Sequence, residues 1–373
     1  MQVRQITQDE HLSYIATRPS VSFLQTPAWA NVKREWQSQS LGWFDEQGTL
    51  IGAGLMLLRK VPKVNRYLAY LPEGPDLPWA NSDIVQPALD ALIDYATVLG
   101  VFQIKMGPQV WTKRWSTVDL KTAVGQAMAN SIAQIPATET NRNGLALAQH
   151  LQNSGWKQPK ASTTGFGDFQ PRYVFQLDLL NRSEDDLFTN FNQLWRRNIR
   201  KAEKEGVRIR IGSRDDLPTF HACYVETAVR DHFTPRPLTY FERMWDAMVA
   251  EDPHRIRLYI AEHDDHTGAI AATTMTQVGQ HAWYSYGAST TAARDLRPSN
   301  AIQWAMMKDA LRNGCTIYDM RGISDTLLPE HHLFGLIQFK MGTSGYAQEY
   351  VGEWDYIISK PWAKAFHLYM SRR

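Results

Sequence analysis

The chain has 373 residues, with 40 Lys plus Arg against 38 Asp plus Glu and a formal net charge of +2. With 43% hydrophobic and 21% charged residues it has the composition of a globular protein of about two domains, which excludes a disordered or fibrous chain and one that coats nucleic acid through net charge. Cys223 and Cys315 lie far apart and form no CxxC, so neither a disulfide framework nor a cysteine zinc site is expected, and a reducing cytoplasm is the expected compartment. The first residues carry no apolar signal region, and no run approaches the ~20 apolar residues of a membrane span.

In chain order, residues 41–45 read as a strand, a Glu46-Gln47-Gly48 turn follows, and 49–60 is an apolar run with the pattern of a buried strand. A further strand is predicted at 67–71. The apolar residues Val85, Ala88, Leu89, Leu92, Tyr95, Ala96 and Leu99 fall at helical spacing, so 84–99 is a helix ended by Gly100, and 101–106 is a strand. The same order recurs later: strands at 256–261, 269–278 and 281–286, a helix at 300–313 ended by Gly314, and a strand at 315–320. Two equivalent α/β subdomains account for this recurrence better than one large sheet. Between the copies, 108–169 is weakly patterned, with a helix at 144–154 and a linker at 159–168 rich in Thr, Gly and Ser.

The hairpin–strand–helix–strand order is the layout of the GNAT acyltransferase fold. That fold normally cradles a coenzyme A pyrophosphate on a glycine-rich strand-to-helix loop. The corresponding loops, 72–83 and 287–299, lack the glycine pattern, so acyl transfer from another donor is expected. The chain has no GxGxxG after a strand, GxxxxGK[ST], HExxH or GxSxG. His263-Asp264-Asp265-His266 carries ligand-type residues but reads as a solvated hairpin tip, and no metal site is expected.

Residues 184–205 read as one helix capped by Ser183 and Asp186, with Leu187, Phe191, Leu194, Trp195 and Ala202 as its apolar face. Its last turns carry Arg196, Arg197, Arg200, Lys201 and Lys204. The helix dipole explains part of this; the rest reads as a patch for phosphates. Cations and aromatics also meet from Phe23 through Trp29 to Lys33, Arg34 and Trp36. They meet again at Arg236 and Tyr240 on one helix face, and at Tyr284 and Tyr286 on one strand face. Each segment alone is more often a piece of core or surface than a site; together they suit a ligand bearing phosphate and sugar. Near the C-terminus, Phe339-Lys340 sits in an apolar, glycine-flanked run, where a cation is costly to bury unless it meets an anion.

These motifs resemble the FemABX peptidoglycan aminoacyltransferases, the Fem ligases. The resemblance rests on Phe23-Leu24-Gln25-Thr26-Pro27-Ala28-Trp29 through Lys33, on Arg197 to Glu203 with Gly206, and on Arg236 with Tyr240. It also rests on Tyr286-Gly287, on Asp319-Met320-Arg321-Gly322-Ile323, and on Phe339-Lys340 through Gly352-Glu353. It implies two GNAT-like subdomains, 1–160 completed by 352–373 and 161–351. With no sustained charged heptads, it implies the armless FemX-like subtype. The implied donor is aminoacyl-tRNA and the implied acceptor a peptidoglycan precursor, UDP-MurNAc-pentapeptide or lipid II, with no cofactor. The expected protein is a cytoplasmic monomer, with peripheral membrane contact where the acceptor is lipid-linked.

By the same resemblance, Lys340 with Phe339 is the catalytic place, and Lys33 and Arg236 hold the acceptor diphosphate. Tyr240 and Tyr286 line the acceptor channel, Trp36 and Tyr284 also bind substrate, and Arg196, Arg197, Arg200, Lys201 and Lys204 meet tRNA. In relatives the strand corresponding to 101–106 commonly runs into Asp-Pro; here it runs into Gly107-Pro108, without that carboxylate. A non-catalytic RNA-binding module on the duplicated fold is the alternative; it explains the basic helix but not Lys340. At the C-terminus, Pro361 opens a helix whose face of Trp362, Phe366, Tyr369 and Met370, flanked by Lys360, Lys364, Arg372 and Arg373, either packs on the first subdomain or anchors at an anionic membrane.

Overall fold

A capping box starts the first helix: Thr7 Oγ1 accepts from the Glu10 N–H at 3.1 Å, and the Glu10 carboxylate accepts from the Thr7 N–H at 2.7 Å. In this computed structural model, which describes residues 1–159 and 169–370, that helix α1 (Gln8–Ala16) follows strand β1 (Gln2–Gln5). The chain continues through α2 (Pro27–Val32), β2 (Gln37–Phe44), β3 (Leu50–Lys60), β4 (Tyr67–Leu71), α3 (Ser82–Val98), β5 (Val101–Met106) and β6 (Trp111–Ser116). Then come α4 (Thr117–Gly125), β7 (Glu139–Thr140), α5 (Arg142–Asn153), β8 (Tyr173–Asp178), α6 (Glu184–Asn190), α7 (Gln193–Lys204) and β9 (Arg208–Gly212). The remaining elements are α8 (Leu217–Asp231), α9 (Leu238–Glu251), β10 (Ile256–Glu262), β11 (Ala271–Val278), β12 (His281–Ser289) and α10 (Pro298–Arg312), followed by β13 (Ile317–Gly322), α11 (Phe334–Met341), β14 (Tyr346–Tyr350), β15 (Trp354–Ile357) and α12 (Lys360–Met370).

Contacts divide the chain into two units. One comprises Met1–Trp115, Pro136–Tyr173 and Gln348–Arg373; the other comprises Ser116–Ile135 and Val174–Ala347. The sequence boundaries place 116–135 in the first subdomain, whereas here this stretch clusters with the second unit. Thr117 donates to Gly345 O at 2.5 Å, Ile132 N to Asp325 O at 2.8 Å and Leu327 N to Asn130 O at 2.8 Å. Residues 160–168 of the expected linker lie outside the described residues, as do Arg372, Arg373 and the side chain of Tyr369.

The first unit holds a sheet in the order β1-β2-β3-β4-β5-β15. Strands β2, β3 and β4 are antiparallel neighbours; α3 then crosses over, so β5 lies parallel to β4, and β15 closes antiparallel on β5 with Trp354 opposite Met106. In the second unit the order β8-β13-β12-β11-β10-β9 repeats this arrangement. Strands β10, β11 and β12 are antiparallel, α10 crosses over to a parallel β13, and β8 closes antiparallel on β13. Gly100 and Gly314 end the two crossover helices in the left-handed region, at φ 79° and 73°. Each donates its N–H three residues back, to Thr97 O and Leu311 O, both at 3.0 Å. The recurrence in the sequence is therefore a repeat in space.

The predicted helix 184–205 is two helices. Phe191 takes an extended conformation, and Asn192 caps a new helix by accepting from the Trp195 N–H at 2.8 Å. Asn192 N donates to Gly342 O at 2.9 Å, which fixes the break. Leu194, expected on the buried face, is 51% exposed because the new helix starts with a different rotation; Trp195, Ile199 and Ala202 form its buried face.

The first core gathers Trp43, Met56, Leu71, Leu89, Leu92, Ile104, Leu151, Trp156 and Trp354. Helix α12 adds a second cluster on the same unit. Ala363 and Phe366 are buried against Phe102, with Leu68, Ile357, Trp362 and Met370 packed around them. Of the face read from the sequence, Phe366, Trp362 and Met370 thus pack within their own unit, as the packing alternative has it. None of the described helices is long and apolar enough to cross a membrane. Phe366→Ala should lower stability by about 3 kcal/mol through the cavity left against Phe102. Urea unfolding of the full chain measures this, and an unchanged midpoint would show that α12 is not core.

Candidate functional site

Lys340 lies in the last turn of α11 and is 2% exposed. Its Nζ donates to Arg321 O at 3.1 Å and Gly322 O at 2.7 Å, both at the end of β13. An ammonium has three hydrogens, so these carbonyls take two and leave one. Burial pushes the amine down to about 7; Asp319 opposes that shift and Arg321 adds to it. The compensation expected from the sequence was an anion; the direct partners are carbonyl dipoles, and the carboxylate of Asp319 acts behind them. The Phe339 carbonyl accepts from Trp195 Nε1 at 2.7 Å, and the two rings pack 4.7 Å apart. A Cβ at Gly342 would overlap the Trp195 ring, so glycine is needed there for the close approach.

Arg236, Tyr240 and Tyr286 come together in the second unit. The Arg236 guanidinium lies 4.6 Å from the Tyr240 ring centre, and the two tyrosine hydroxyls are 3.1 Å apart. Tyr224 and Phe241 back Tyr286 edge-on. Tyr284 does not share their face. The ladder pairs Tyr286 with Thr274 and Tyr284 with Met275, so Ser285 is an extra residue and the bulge turns the two tyrosines to opposite sides. Tyr284 instead lines a cavity of about 140 Å³ with Arg230, Thr273, Gln303 and Phe339.

The basic residues sit on α7. Arg197, Arg200 and Lys204 are exposed, Arg196 and Lys201 half-buried. The Arg200 guanidinium lies 5.2 Å from the Phe188 ring. Through Trp195 this helix is bolted to α11, the helix that carries Lys340.

In the first unit, Lys33 follows the last turn of α2, with its Nζ 5.8 Å from the Trp29 ring. The Trp36 ring packs 6.4 Å from Tyr70, whose ring is 6.0 Å from Phe169. Sequence reasoning missed the charged groups beneath these rings. Glu353 is 2% exposed and accepts from Tyr70 Oη at 2.6 Å and Phe169 N at 2.8 Å. Lys105 pairs with Asp355 at 3.0 Å and Glu353 at 3.9 Å. Glu73, also buried, accepts from Ser22 Oγ at 2.6 Å and Gln109 Nε2 at 2.9 Å. The signal was present in Lys105, a cation in a wholly buried strand. At Gly107, where the resemblance leads to the expectation of an aspartate, an added Cβ would lie 3.1 Å from Glu353 Cγ, so Glu353 fills the space beside the glycine. Gln25 of the opening motif is a staple: it accepts from Leu55 N at 2.9 Å and donates to Pro72 O at 2.7 Å.

The tip at 263–266 is engaged locally, with Arg208 Nη1 donating to Asp264 at 3.0 Å and His263 Nε2 2.7 Å from Glu205 O. Among the described residues, no group of three or more His, Cys, Asp or Glu could hold a metal ion.

Comparison with known proteins gives concordant results. The chain is 23% identical to a lipid II:glycine glycyltransferase of Staphylococcus aureus, over 97% of this chain and 94% of the relative; the protein of strain MRSA252 matches to the same extent. Among solved structures it is similar to FemX, with TM-score 0.80 and 22% identity over 98% of this chain and 99% of that one. It is also similar to a tandem GNAT protein of the clavulanic acid biosynthesis pathway, with TM-score 0.53 and 11% identity over 96% of this chain and 98% of that one. These likenesses agree with the duplicated GNAT-type fold described above. A model of the FemAB family matches residues 6–261 and 249–370, and with that span of the sequence accounted for, the chain belongs to the FemAB family.

Proposed function

We propose that this protein is an aminoacyltransferase of peptidoglycan bridge synthesis, moving an aminoacyl group from aminoacyl-tRNA to a stem-peptide amine of a precursor, UDP-MurNAc-pentapeptide or lipid II. The observation that carries the reading is Lys340, a buried cation with one hydrogen left to donate, in a FemAB-family chain. The acceptor nitrogen attacks the ester carbonyl, a C–N bond forms, and the ester C–O bond breaks. The leaving tRNA hydroxyl takes up a proton as the amine loses one. The intermediate oxygen carries negative charge, which Lys340 stabilises while it remains protonated.

Each unit offers a cation beside an aromatic ring that suits a precursor's diphosphate: Lys33 beside Trp29 in one, Arg236 beside Tyr240 and near Tyr286 in the other. Tyr284, on the far side of its strand, lines the small cavity with Phe339 and contacts substrate there. The basic residues of α7 meet the tRNA backbone. A transfer assay that presents a panel of charged tRNAs to both precursor forms, read by mass, tests the whole reading; no product with any pair would refute it.

Lys340→Met should lower the transfer rate by about 10²–10³ with the fold intact, since one oxyanion-stabilising donor is lost. Because burial pushes the amine down to about 7, the ratio of wild-type to Lys340→Met rate, from which the ionisation of the acceptor amine cancels, should be full below that pH and decline as pH rises through it. A ratio that climbs through the same range would assign Lys340 the role of a base instead.

Lys33→Ala and Arg236→Ala should each raise the acceptor KM with little change in kcat. A lost charge-assisted contact is worth about 1.5–3 kcal/mol, a roughly ten- to hundred-fold effect. Unchanged KM in both would remove the diphosphate assignment.

A further inference from the structure

The carbonyls that seat Lys340 are presented by an unusual backbone. The β8–β13 ladder shifts register between Asp319 and Gly322, and within that bulge Arg321 adopts φ 62°, a left-handed conformation that a non-glycine residue seldom takes. One side chain holds it there. Asp319 Oδ1 accepts from the Arg321 N–H at 2.5 Å, two residues ahead, while Asp319 Oδ2 accepts from Gln176 Nε2 of β8 at 2.8 Å. His281 of β12 stands 3.6 Å from the same Oδ2 and is itself stacked on Trp283, with ring centres 3.9 Å apart. Asp319 is fully buried. Burial opposes its charge, but His281, Arg321 and Gln176 together hold the carboxyl below its usual range. Across the turn, Asp319 and Arg321 are the charged groups that act on the Lys340 amine, with opposite signs.

We propose that Asp319 is a positioning residue for Lys340. Its carboxylate fixes the left-handed turn whose two carbonyls seat the amine, and it supplies the buried negative charge that favours the ammonium. The inference rests on the catalytic reading of Lys340. It goes beyond that reading by naming the group that sets both the place and the charge of the amine. A carboxylate limited to bracing the strand would leave the titration of Lys340 where it is.

The test follows the ε-carbon NMR resonance of isotope-labelled lysine in the full chain, with the Lys340 signal assigned by its loss in Lys340→Met. Asp319→Asn keeps an oxygen for the Arg321 N–H and removes the charge, so Lys340 should titrate at least about one pH unit lower than in the wild type. Arg321→Gln removes the opposing cation and should move the titration upward; it serves also where Asp319→Asn fails to fold. The pH dependence of kcat/KM should move in the same direction as the resonance in each variant.

Coincident titrations in the wild type and Asp319→Asn, or in the wild type and Arg321→Gln where only the latter folds, would overturn the inference and leave Lys340 catalytic. Near wild-type turnover in Lys340→Met would instead overturn the catalytic reading, and the positioning role with it.

Discussion

A buried ammonium must be compensated by dipoles or charge, or it will shed its proton, and much of the second unit is arranged to meet that demand. Lys340 draws on two carbonyls, and these face it because β13 bulges and Arg321 turns left-handed. The turn is held by Asp319, and Asp319 by Gln176 from the neighbouring strand. On the other flank, Trp195 takes the Phe339 carbonyl and packs onto Gly342, so the helix bearing the lysine cannot shift without α7. Several of the motif residues quoted from the sequence thus belong to one chain of contacts ending at a single nitrogen.

The fold was largely legible in the sequence. Hairpin, crossover helix and buried strand each leave a pattern of their own, and the pattern occurs twice. The terminating glycines at 100 and 314 mark the same point in both copies. What stayed hidden depends on single hydrogen bonds or on partners distant in sequence. Nothing in the periodicity of 184–205 marks Asn192 as a cap, because Phe191 and Trp195 also suit one continuous helix. Nor does a run of alternating aromatics reveal that Ser285 is an extra residue, yet that one residue separates Tyr284 from Tyr286.

The candidate site was legible in kind more than in detail. Lys340 stood out as a cation among apolar residues, but its partners come from another strand and are backbone atoms, which carry no sequence signature. The carboxylates of the first unit were harder still. Glu353 meets Tyr70, Phe169 and Lys105, all remote in sequence, and it fills the space beside Gly107. A glycine in place of an aspartate reads as a loss along the chain; in space a carboxylate from β15's approach stands beside it.

The way each sheet closes bears on how the polypeptide can fold while it is being made. The second unit receives β8 before β13, the strand it closes on, so the β8–β13 pairing can form as soon as β13 has emerged. The first unit, although translated first, waits for β15 and α12, which are encoded after the entire second unit. Until then β5 has an unpaired edge and Phe102 lacks its cover of Ala363 and Phe366. The half that leaves the ribosome first is therefore completed last, and a nascent chain carries an open apolar edge for most of its synthesis.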